Sequence, residues 1–394
     1  MQIFFASTHT INNYMPSSRL WYVNLYLPLI DLGHEVVHFK YDLLPHYQHA
    51  DVNQPDHQVF IQANRPRLEE ALLYQIAALH REKPIDLFFS YFYGAFCRPE
   101  IIAEIRRMGI VTVNWYCNAS YQFHLVEDIA PAYDYCLVPE KFRMVDYRRI
   151  GANPIYFQEA ANPNFYKPYP LKQEFDVVFV GQKYGERSDY IRHLWKQGID
   201  IRVWGQGWLD AAQEHDSSRF LTKLLKYAGK TTRLDGWKVA AHTIVRKLRQ
   251  PASASRIIER TGGDLPTSML GPPLSDDEMV KMYSRSKISL GFSTCGETHR
   301  DAQRIMQVRL RDFEAPMSGA FYIVEYMEEL EEFFKIGKEI VCYHDKADLA
   351  DKIKYYLTHD EERERVRQAG HARALADHSW QRRFQVLFES LQLV

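Results

Sequence analysis

The chain holds 394 residues, too many for one ordinary core, since domains usually contain about 100 to 200 residues, and we expect two domains. Hydrophobic residues make up 46% and charged residues 25%, with 22 Phe, 25 Tyr and 7 Trp, a composition that can fill large cores and excludes a disordered chain. The 49 basic and 50 acidic residues give a formal net charge of -1, which excludes a protein that coats nucleic acid by bulk positive charge, so no nucleic-acid partner is expected.

The first half of the chain alternates short apolar segments with longer amphipathic ones. The short segments are rich in Val, Ile and Phe and predict β-strands over 3–6, 35–39, 86–90, 111–115, 134–138 and 155–157. Apolar residues spaced three and four apart predict helices over 20–32, 67–81 and 99–108. This alternation is typical of βαβ units around a parallel sheet, and we expect one domain over residues 1–165.

A proline-rich segment separates the two halves. Residues 161–175 contain Pro163, Pro168 and Pro170 and show no helical or strand period, which predicts a linker. Beyond it, strands are predicted over 176–180, 201–203, 288–292, 320–324 and 339–343. We therefore expect a second domain over 170–376 and a closing helix over 377–394. The predicted fold class is α/β, with two Rossmann-like domains that face each other across a cleft.

A basic segment interrupts the second domain as an insertion over about 210–265. Between positions 219 and 250 there are nine Lys or Arg and one acidic residue, Asp235. Apolar residues accompany the basic ones, so the segment could form a surface that meets anionic lipid or an anionic acceptor. A solvated helical insertion is the open alternative, because charged helix faces are common.

Cysteine usage and the N-terminus predict a cytoplasmic protein. The five cysteines are odd in number and lack CxxC spacing, so we expect reduced thiols. The segment over 1–6 has no basic residue before its apolar run and predicts a first strand rather than a signal peptide. No apolar run reaches the roughly 18 residues of a membrane span, and the basic segment 219–250 would make any contact with the inner membrane face peripheral.

Several catalytic motifs are incomplete or absent in this sequence. A phosphate-binding Walker loop ending at Thr231 would need glycine where Leu224 stands, and a dinucleotide fingerprint starting at Gly205 would need glycine where Asp210 stands. A serine nucleophile elbow around Ser293 lacks its second glycine, at Cys295. The chain has no Asp-x-Asp metal clamp. We therefore expect no bound cofactor and no metal ion.

Two segments of the second half could hold a phosphorylated ligand. Gly181 and Gln182 follow a buried strand, and Arg187 stands at the mouth of the next helix, which suits a phosphate cradle or merely a tight turn. Further on, Arg309 and Arg311 precede Glu314 just before a strand. Arginines at a helix end that points into a cleft suit a diphosphate, whereas a solvated helix with internal ion pairs is the alternative.

Six segments of the second half form an ordered set of motifs, at 179–187, 203–208, 283–290, 311–316, 337–341 and 378–384. Together they cover most of 176–385 and resemble the motifs of the GT-B "group 1" glycosyltransferases of the spore-maturation-protein type. In the first half the resemblance extends only to 132–134 and 151–154 in outline.

The resemblance implies a nucleotide-diphosphate sugar as co-substrate, held by the second domain. Glu314 matches the glutamate that bonds the donor ribose in related enzymes, and Arg309 and Arg311 are the basic neighbours of the diphosphate. The expected donor-binding residues are Gly181, Gln182, Arg187, Gly205, Arg309, Arg311, Phe313, Glu314 and Gly319. Met306 stands where many group 1 enzymes carry a second glutamate, so the contacts of the transferred sugar are not predicted.

The acceptor is expected mainly on the first domain. Thr8 and His9 follow the first predicted strand, and Asn118 and His124 follow the fourth, at the edge where open α/β sheets place ligands. These four residues are the candidate acceptor-binding groups, and His9 and His124 are candidate bases, although a histidine is as readily a surface or core residue. Together with Arg309 and Arg311, the two histidines complete the expected catalytic set.

The predicted function is metal-independent transfer of a sugar from a nucleotide-diphosphate donor, with retention of anomeric configuration. The acceptor could be a surface glycan, a lipid-linked glycan, a protein or a small molecule. Two alternatives remain open, a GT-B-fold sugar-nucleotide epimerase and a sugar- or nucleotide-binding module without turnover.

Overall fold

The structure, a computed structural model, describes residues 1–7, 18–209, 265–300 and 304–393. The first domain contains a six-stranded parallel sheet in the order β2-β1-β3-β4-β5-β6. Its strands are β1 Gln2–Ala6, β2 Glu35–His38, β3 Leu87–Ser90, β4 Val111–Trp115, β5 Tyr135–Val138 and β6 Pro154–Tyr156. The six strands predicted for the first half thus lie within a residue or two of their observed positions.

Helices cover the faces of this first sheet. They are a π-helix over Tyr22–Tyr26 followed by α1 Leu27–Asp31, then α2 Leu44–Gln48, α3 Pro55–Glu82, α4 Pro99–Arg107, α5 Ala119–Gln122 and α6 Met144–Arg149. Helix α3 has 28 residues and continues through Pro66, so it begins at Pro55 and not at the predicted start at 67. The part of the helix before Pro66 was not predicted, because proline lacks a backbone N–H donor and usually ends a helix.

The second domain contains a second six-stranded parallel sheet in the order β12-β11-β10-β7-β8-β9. Its strands are β7 Phe175–Val180, β8 Ile201–Trp204, β9 Leu270–Gly271, β10 Ser286–Leu290, β11 Tyr322–Glu325 and β12 Val341–Tyr343. The described helices are α7 Arg187–Lys196, α8 Asp276–Arg285, α9 Leu310–Met317, α10 Lys346–Thr358, α11 Asp360–Asp377 and α12 Trp380–Ser390. Strand β9 was not predicted, since two residues carry no periodicity.

The closing helix α12 lies on the first domain, not on the second domain that precedes it in the chain. Trp380 packs edge-on against Trp115, with ring centroids 5.6 Å apart, and Phe384 packs against Phe89 at 5.9 Å. A β-bridge joins Ala161 in the linker to Ser379 at the start of this helix. The chain therefore crosses between the domains twice, and the two crossings lie side by side.

In both sheets the strand order reverses at one point. The reversal lies between β1 and β3 in the first sheet and between β7 and β10 in the second. In open parallel sheets such a switch point opens a crevice beyond the carboxyl ends of the strands, where ligands bind. Within the described residues, no helix is both long enough and apolar enough to span a bilayer.

Two predicted regions lie outside the described residues. They are the acceptor candidates Thr8 and His9 and the basic segment 219–250 within the predicted insertion. Both stay predictions.

Candidate active site

A cavity of about 380 Å³ lies between the domains, beyond the carboxyl ends of the strands. The two domains meet at its edge, where Asp276 Oδ2 accepts a hydrogen bond from the Arg19 N–H at 2.7 Å. The first domain contributes Ser18, Leu20, Trp21, Tyr91, Cys117, Asn118 and Glu159. The second contributes Phe179, Gly181, Gln182, Arg187, Asp276, Met279, Phe292, Gln307, Arg309, Leu310, Arg311, Glu314 and Tyr322.

Two glycines let the loops after β7 and β8 lie against each other. Gly205 has φ +150°, and a Cβ there would lie 2.0 Å from the carbonyl oxygen of Gly181. The Trp208 indole N–H donates to the same oxygen at 2.7 Å. Gly181 lines the cavity, whereas Gly205 is not among the lining residues and supports Gly181 from behind. Any side chain at 205 would push the cavity-lining loop out of place.

Arg187 is held at the first position of α7 by its own loop. Its guanidinium stacks 3.7 Å from the Tyr184 ring centroid, Nη1 donates to the Gln182 carbonyl at 2.8 Å, and Nη2 donates to the Tyr184 hydroxyl at 2.6 Å. Burial lowers the pKa of Arg187 to about 10, and the positive charges of Arg309 and Arg311 act in the same direction. Three guanidinium groups therefore crowd one side of the cavity, an arrangement that a bound anion would relieve.

Arg309 stands directly before α9, and its side chain is fixed by the preceding loop. Its Nη2 donates to the Thr294 carbonyl at 2.7 Å, and its backbone N–H donates to Asp312 Oδ2 at 2.8 Å. The Arg309 Nε is buried and has no partner among the described residues. Arg311, in the first turn of α9, lies with its Nη2 3.6 Å from the Met279 sulfur and also interacts with the Tyr283 hydroxyl. Both arginines thus keep donors available for a ligand.

Glu314 follows Arg311 by three residues on α9, so both side chains reach the cavity from one helix face. Glu314 is 3% exposed, and its Oε1 has no hydrogen-bond partner among the described residues. Burial raises the pKa of Glu314 to about 7, against the opposing effect of the Arg311 charge. A buried carboxyl oxygen without a partner is costly, and a ligand hydroxyl would satisfy it.

Two predicted donor-binding residues on or near α9 lie outside the cavity lining. Phe313 is fully buried in the core of the second domain, with its ring 5.3 Å from Phe333 and 5.3 Å from His378. Gly319 has φ +73° in the turn after α9, and a Cβ there would lie 2.9 Å from Pro168. These residues support the helix and do not face a ligand, because they point to the opposite side of α9 or follow its end.

A polar cluster behind the arginines was not predicted from the sequence. Arg304 forms ion pairs with Glu186 and Glu325 and also donates to Thr294 Oγ1. The Thr294 hydroxyl in turn donates to Glu325 Oε2 at 3.2 Å. Glu186 directly precedes Arg187, and the Thr294 carbonyl holds Arg309. Arg304 therefore connects the supports of both arginines.

The first-domain wall combines two aromatic side chains with polar ones. Trp21 and Tyr91 pack against each other with ring centroids 5.4 Å apart, and the Tyr91 hydroxyl lies 3.5 Å from the Cys117 sulfur. Asn118 lines the cavity next to Cys117, at the end of β4. Glu159 is 6% exposed, and burial raises its pKa to about 8, opposed by the charge of Arg309.

His124 does not reach this cavity. Its side chain is 39% exposed, and its Nε2 lies 3.6 Å from Asp51 Oδ1. Of the two described acceptor candidates, the structure therefore brings Asn118 to the cavity and leaves His124 on the surface. The sequence could not distinguish Asn118 from His124, because both follow the same strand. A short helix between them, α5, directs His124 away from the cavity.

One pattern typical of zinc peptidases also occurs, as the sequence HEVVH over 34–38. That motif holds zinc only on a helix, where residues four apart lie on one face. Here Glu35–His38 is strand β2, in which each residue advances about 3.3 Å, so the two histidines lie roughly 13 Å apart along the chain. Among the described residues, no group of three or more His, Cys, Asp or Glu side chains is arranged to hold a metal ion.

A family model described as glycosyl transferase-like matches residues 244–389. No curated protein sequence matches the chain. Among solved structures, the sucrose-phosphate synthase from Thermosynechococcus elongatus is 14% identical, with a TM-score of 0.59 over 100% of this chain and 98% of that one. Anabaena HepE, in complex with UDP and glucose, is 11% identical with a TM-score of 0.56, and 100% of each chain is covered.

AviGT4, a glycosyltransferase involved in avilamycin A biosynthesis, is 11% identical with a TM-score of 0.54, over 99% of this chain and 97% of that one. At these identities the likeness concerns the fold. The predicted fold class is confirmed: this chain has the GT-B fold, with two Rossmann-like domains and the cavity between them.

Proposed function

We propose that the protein is a glycosyltransferase that moves a sugar from a nucleotide-diphosphate sugar to an acceptor. The observation that carries this proposal is the convergence of Arg187, Arg309 and Arg311 on one side of the interdomain cavity. Guanidinium groups stay charged and can bond two phosphate oxygens at once, which suits a diphosphate. The glycosyl transferase-like family model and the GT-B fold support the same activity.

The proposed chemistry follows from this charge distribution. As the sugar leaves, its anomeric carbon takes on oxocarbenium character and negative charge builds on the departing diphosphate. Donors that already point at those oxygens stabilise the charge without reorganising. Arg187 and Arg309 are held in place by Tyr184 and Thr294 before any ligand binds, so the site is organised for the leaving group.

The donor is proposed to lie along α9, with its ribose at Glu314. The unpartnered Glu314 Oε1 provides an acceptor for a ribose hydroxyl. HepE was solved with UDP and with UDP-glucose, which makes UDP-sugars the first donors to test. Transfer is proposed to retain anomeric configuration, in keeping with the resemblance to group 1 enzymes of the spore-maturation-protein type.

Catalysis is proposed to need no metal ion or cofactor, because three guanidinium groups supply positive charge where a divalent ion would otherwise balance the diphosphate. Activity that survives a metal chelator would support this, and loss that magnesium restores would contradict it. The acceptor is proposed to bind the first-domain wall near Asn118. A cytoplasmic location and contact between 219–250 and an anionic membrane also remain proposals, the latter testable by liposome flotation with and without that segment.

A thermal-shift panel of nucleoside diphosphates tests the donor site. A ligand that binds only the folded state raises the melting temperature, so at least one diphosphate should do so while its nucleoside does not. No shift with any diphosphate would contradict the proposal. Product analysis then separates the alternatives: an epimerase converts the donor without an acceptor, and a binding module leaves it unchanged on long incubation.

A further inference from the structure

Two buried polar side chains of the cavity have no role in the nucleotide site. Gln307 is 7% exposed and Glu159 is 6% exposed, and both line the cavity, one on each domain. The Cys295 thiol donates to Gln307 Oε1 at 3.2 Å, which leaves the Nε2 donors of Gln307 without a partner among the described residues. Buried polar groups usually have partners, so an unused donor at a cavity wall points to a ligand.

The order of residues along the second-domain wall indicates which part of a donor would meet Gln307. Gln307 precedes Arg309 by two positions in an extended segment, and Glu314 follows Arg309 on α9. If the diphosphate lies at the arginines and the ribose at Glu314, Gln307 lies on the far side of the diphosphate from the ribose. That is the side on which the transferred sugar is attached.

Glu159 approaches the same part of the cavity from the first domain. It is close enough to Arg309 for that charge to act on the Glu159 carboxyl. Met306, by contrast, does not line the cavity; it lies in an extended segment bridged to Thr294, where successive side chains point to opposite sides. A glutamate at 306 would therefore not reach a sugar in this chain, and Gln307 is the neighbour that does face the cavity.

We propose that Gln307 and Glu159 bind the hydroxyl groups of the transferred sugar, from opposite walls. The inference rests on the proposed function. The amide N–H of Gln307 would donate to one hydroxyl oxygen, and the Glu159 carboxyl would bond a second hydroxyl.

Calorimetric titration with UDP and UDP-glucose tests the roles of Gln307 and Glu159. If another nucleoside diphosphate raises the melting temperature more than UDP, that diphosphate and its hexose ester are used instead. The measured quantity is the ratio of the two dissociation constants. In Gln307→Ala and Glu159→Ala, the affinity for the sugar nucleotide should fall about tenfold while that for the diphosphate stays within twofold, because only the sugar loses its hydrogen bonds. Gln307→Met and Glu159→Gln keep the side-chain volume if an alanine variant fails to fold.

The matched controls are Glu140→Ala and Met306→Glu. Glu140 is a buried carboxyl of the first domain that does not line the cavity, and its Oε1 accepts from the Ser120 N–H at 3.2 Å. Both controls should leave the ratio unchanged. An unchanged ratio in the Gln307 and Glu159 variants, or a changed ratio in Met306→Glu, overturns the inference. The proposed function still stands in that case if the wild type binds a nucleoside diphosphate. Failure of the wild type to bind any diphosphate ends both.

Discussion

The two walls of the cavity are built differently. On the second domain, Arg187 and Arg309 are fixed by hydrogen bonds to their own loops, and Arg304 connects the supports of both. On the first domain, Trp21 and Tyr91 present aromatic surface, and the polar side chains beside them are Ser18, Asn118 and Glu159. The charged wall is rigid before any ligand arrives, while the aromatic wall offers shape and apolar contact.

This difference indicates a division of roles. A prearranged charged wall stabilises charge that develops during reaction, and such groups contribute most to rate. Aromatic surfaces contribute contact area and fit the apolar faces of sugar rings, so they favour binding and selection. We therefore expect substitutions of the second-domain arginines to affect turnover, and substitutions of Trp21 and Tyr91 on the first-domain wall to affect acceptor use.

The largest expected effect is from Arg309→Ala. Loss of a prearranged donor to the leaving group should reduce the turnover rate about a hundredfold or more, corresponding to roughly 3 kcal/mol in the barrier. Steady-state kinetics with saturating donor measures it. Arg285→Ala is the matched control, since Arg285 pairs with Glu174 at 2.6 Å, away from the cavity, and should leave turnover unchanged. If Arg309→Ala and Arg311→Ala both stay within a few-fold of wild type, the diphosphate assignment is wrong.

The pH dependence of stability should separate the two walls. The pKa of Glu159 is raised to about 8 and that of Glu314 to about 7, above the ordinary value of 4.5. A buried carboxyl with a raised pKa holds its proton in the folded state after the unfolded chain has released it. Its contribution to stability is thus complete below pH 4.5 and is lost as the pH rises through the folded-state pKa.

Between pH 4.5 and about pH 8, the unfolding free energy of the wild type should fall as the pH rises. Glu159→Gln should make this fall less steep, by up to about 1.4 kcal/mol per pH unit. In Glu314→Gln the affected pH range should end nearer pH 7. Denaturant unfolding without ligand, at half-unit steps of pH, measures both slopes. Identical slopes in the two variants and the wild type would show that neither carboxyl is protonated in the folded state.

Glu314→Gln should also weaken nucleotide binding. The amide retains one acceptor oxygen but loses the charge, so we expect about a tenfold loss of affinity for the nucleoside diphosphate. Calorimetric titration measures it, and Asn118→Ala, on the opposite wall, should bind the diphosphate normally. Unchanged affinity in Glu314→Gln would remove the ribose role of this residue.

Arg304→Ala should act through the positions of the other arginines. We expect the donor KM to rise about fivefold, because Arg187 and Arg309 would keep their charges but lose their fixed positions. The variant also removes the cation that pairs with the buried Glu325 carboxylate, which lowers stability. Adding Glu325→Gln should restore the melting temperature but not the KM. Recovery of both together would show that Arg304 serves stability alone.

The smallest effect is expected for His124→Ala. The side chain is half exposed and pairs with Asp51 outside the cavity, so turnover and its pH profile should stay within twofold of wild type. A large loss of turnover would mean that the acceptor extends from the first-domain wall as far as His124.

Much of the architecture could be predicted from local patterns. Runs of Val, Ile and Phe are buried on both faces of parallel strands, so strands such as Val111–Trp115 were predicted at their observed positions. Arg311 and Glu314 were both named as donor-binding residues from the sequence, and both line the cavity in the structure. A capping box formed by Ser275 and Glu278 also marks the start of α8, a local signal that could have been used for that helix.

The convergence of distant residues depended on the tertiary structure. Glu159, Gln307 and Arg304 carry no local signal of their roles, because buried polar residues follow no period and their partners lie far away in the chain. The same holds for the distinction between Asn118 and His124, or between Gln307 and Met306, which depends on the direction of a side chain after a turn or along a strand.

The sequence by itself therefore determined the elements and the helix that carries the arginines, since both follow from short-range sterics and hydrophobic period. Only the tertiary structure decided that Arg187 joins Arg309 and Arg311, and that Glu159 faces them from the other domain. The physical reason is that the order of the strands and the packing of the two domains bring these groups together, and neither is encoded in the spacing of any one segment.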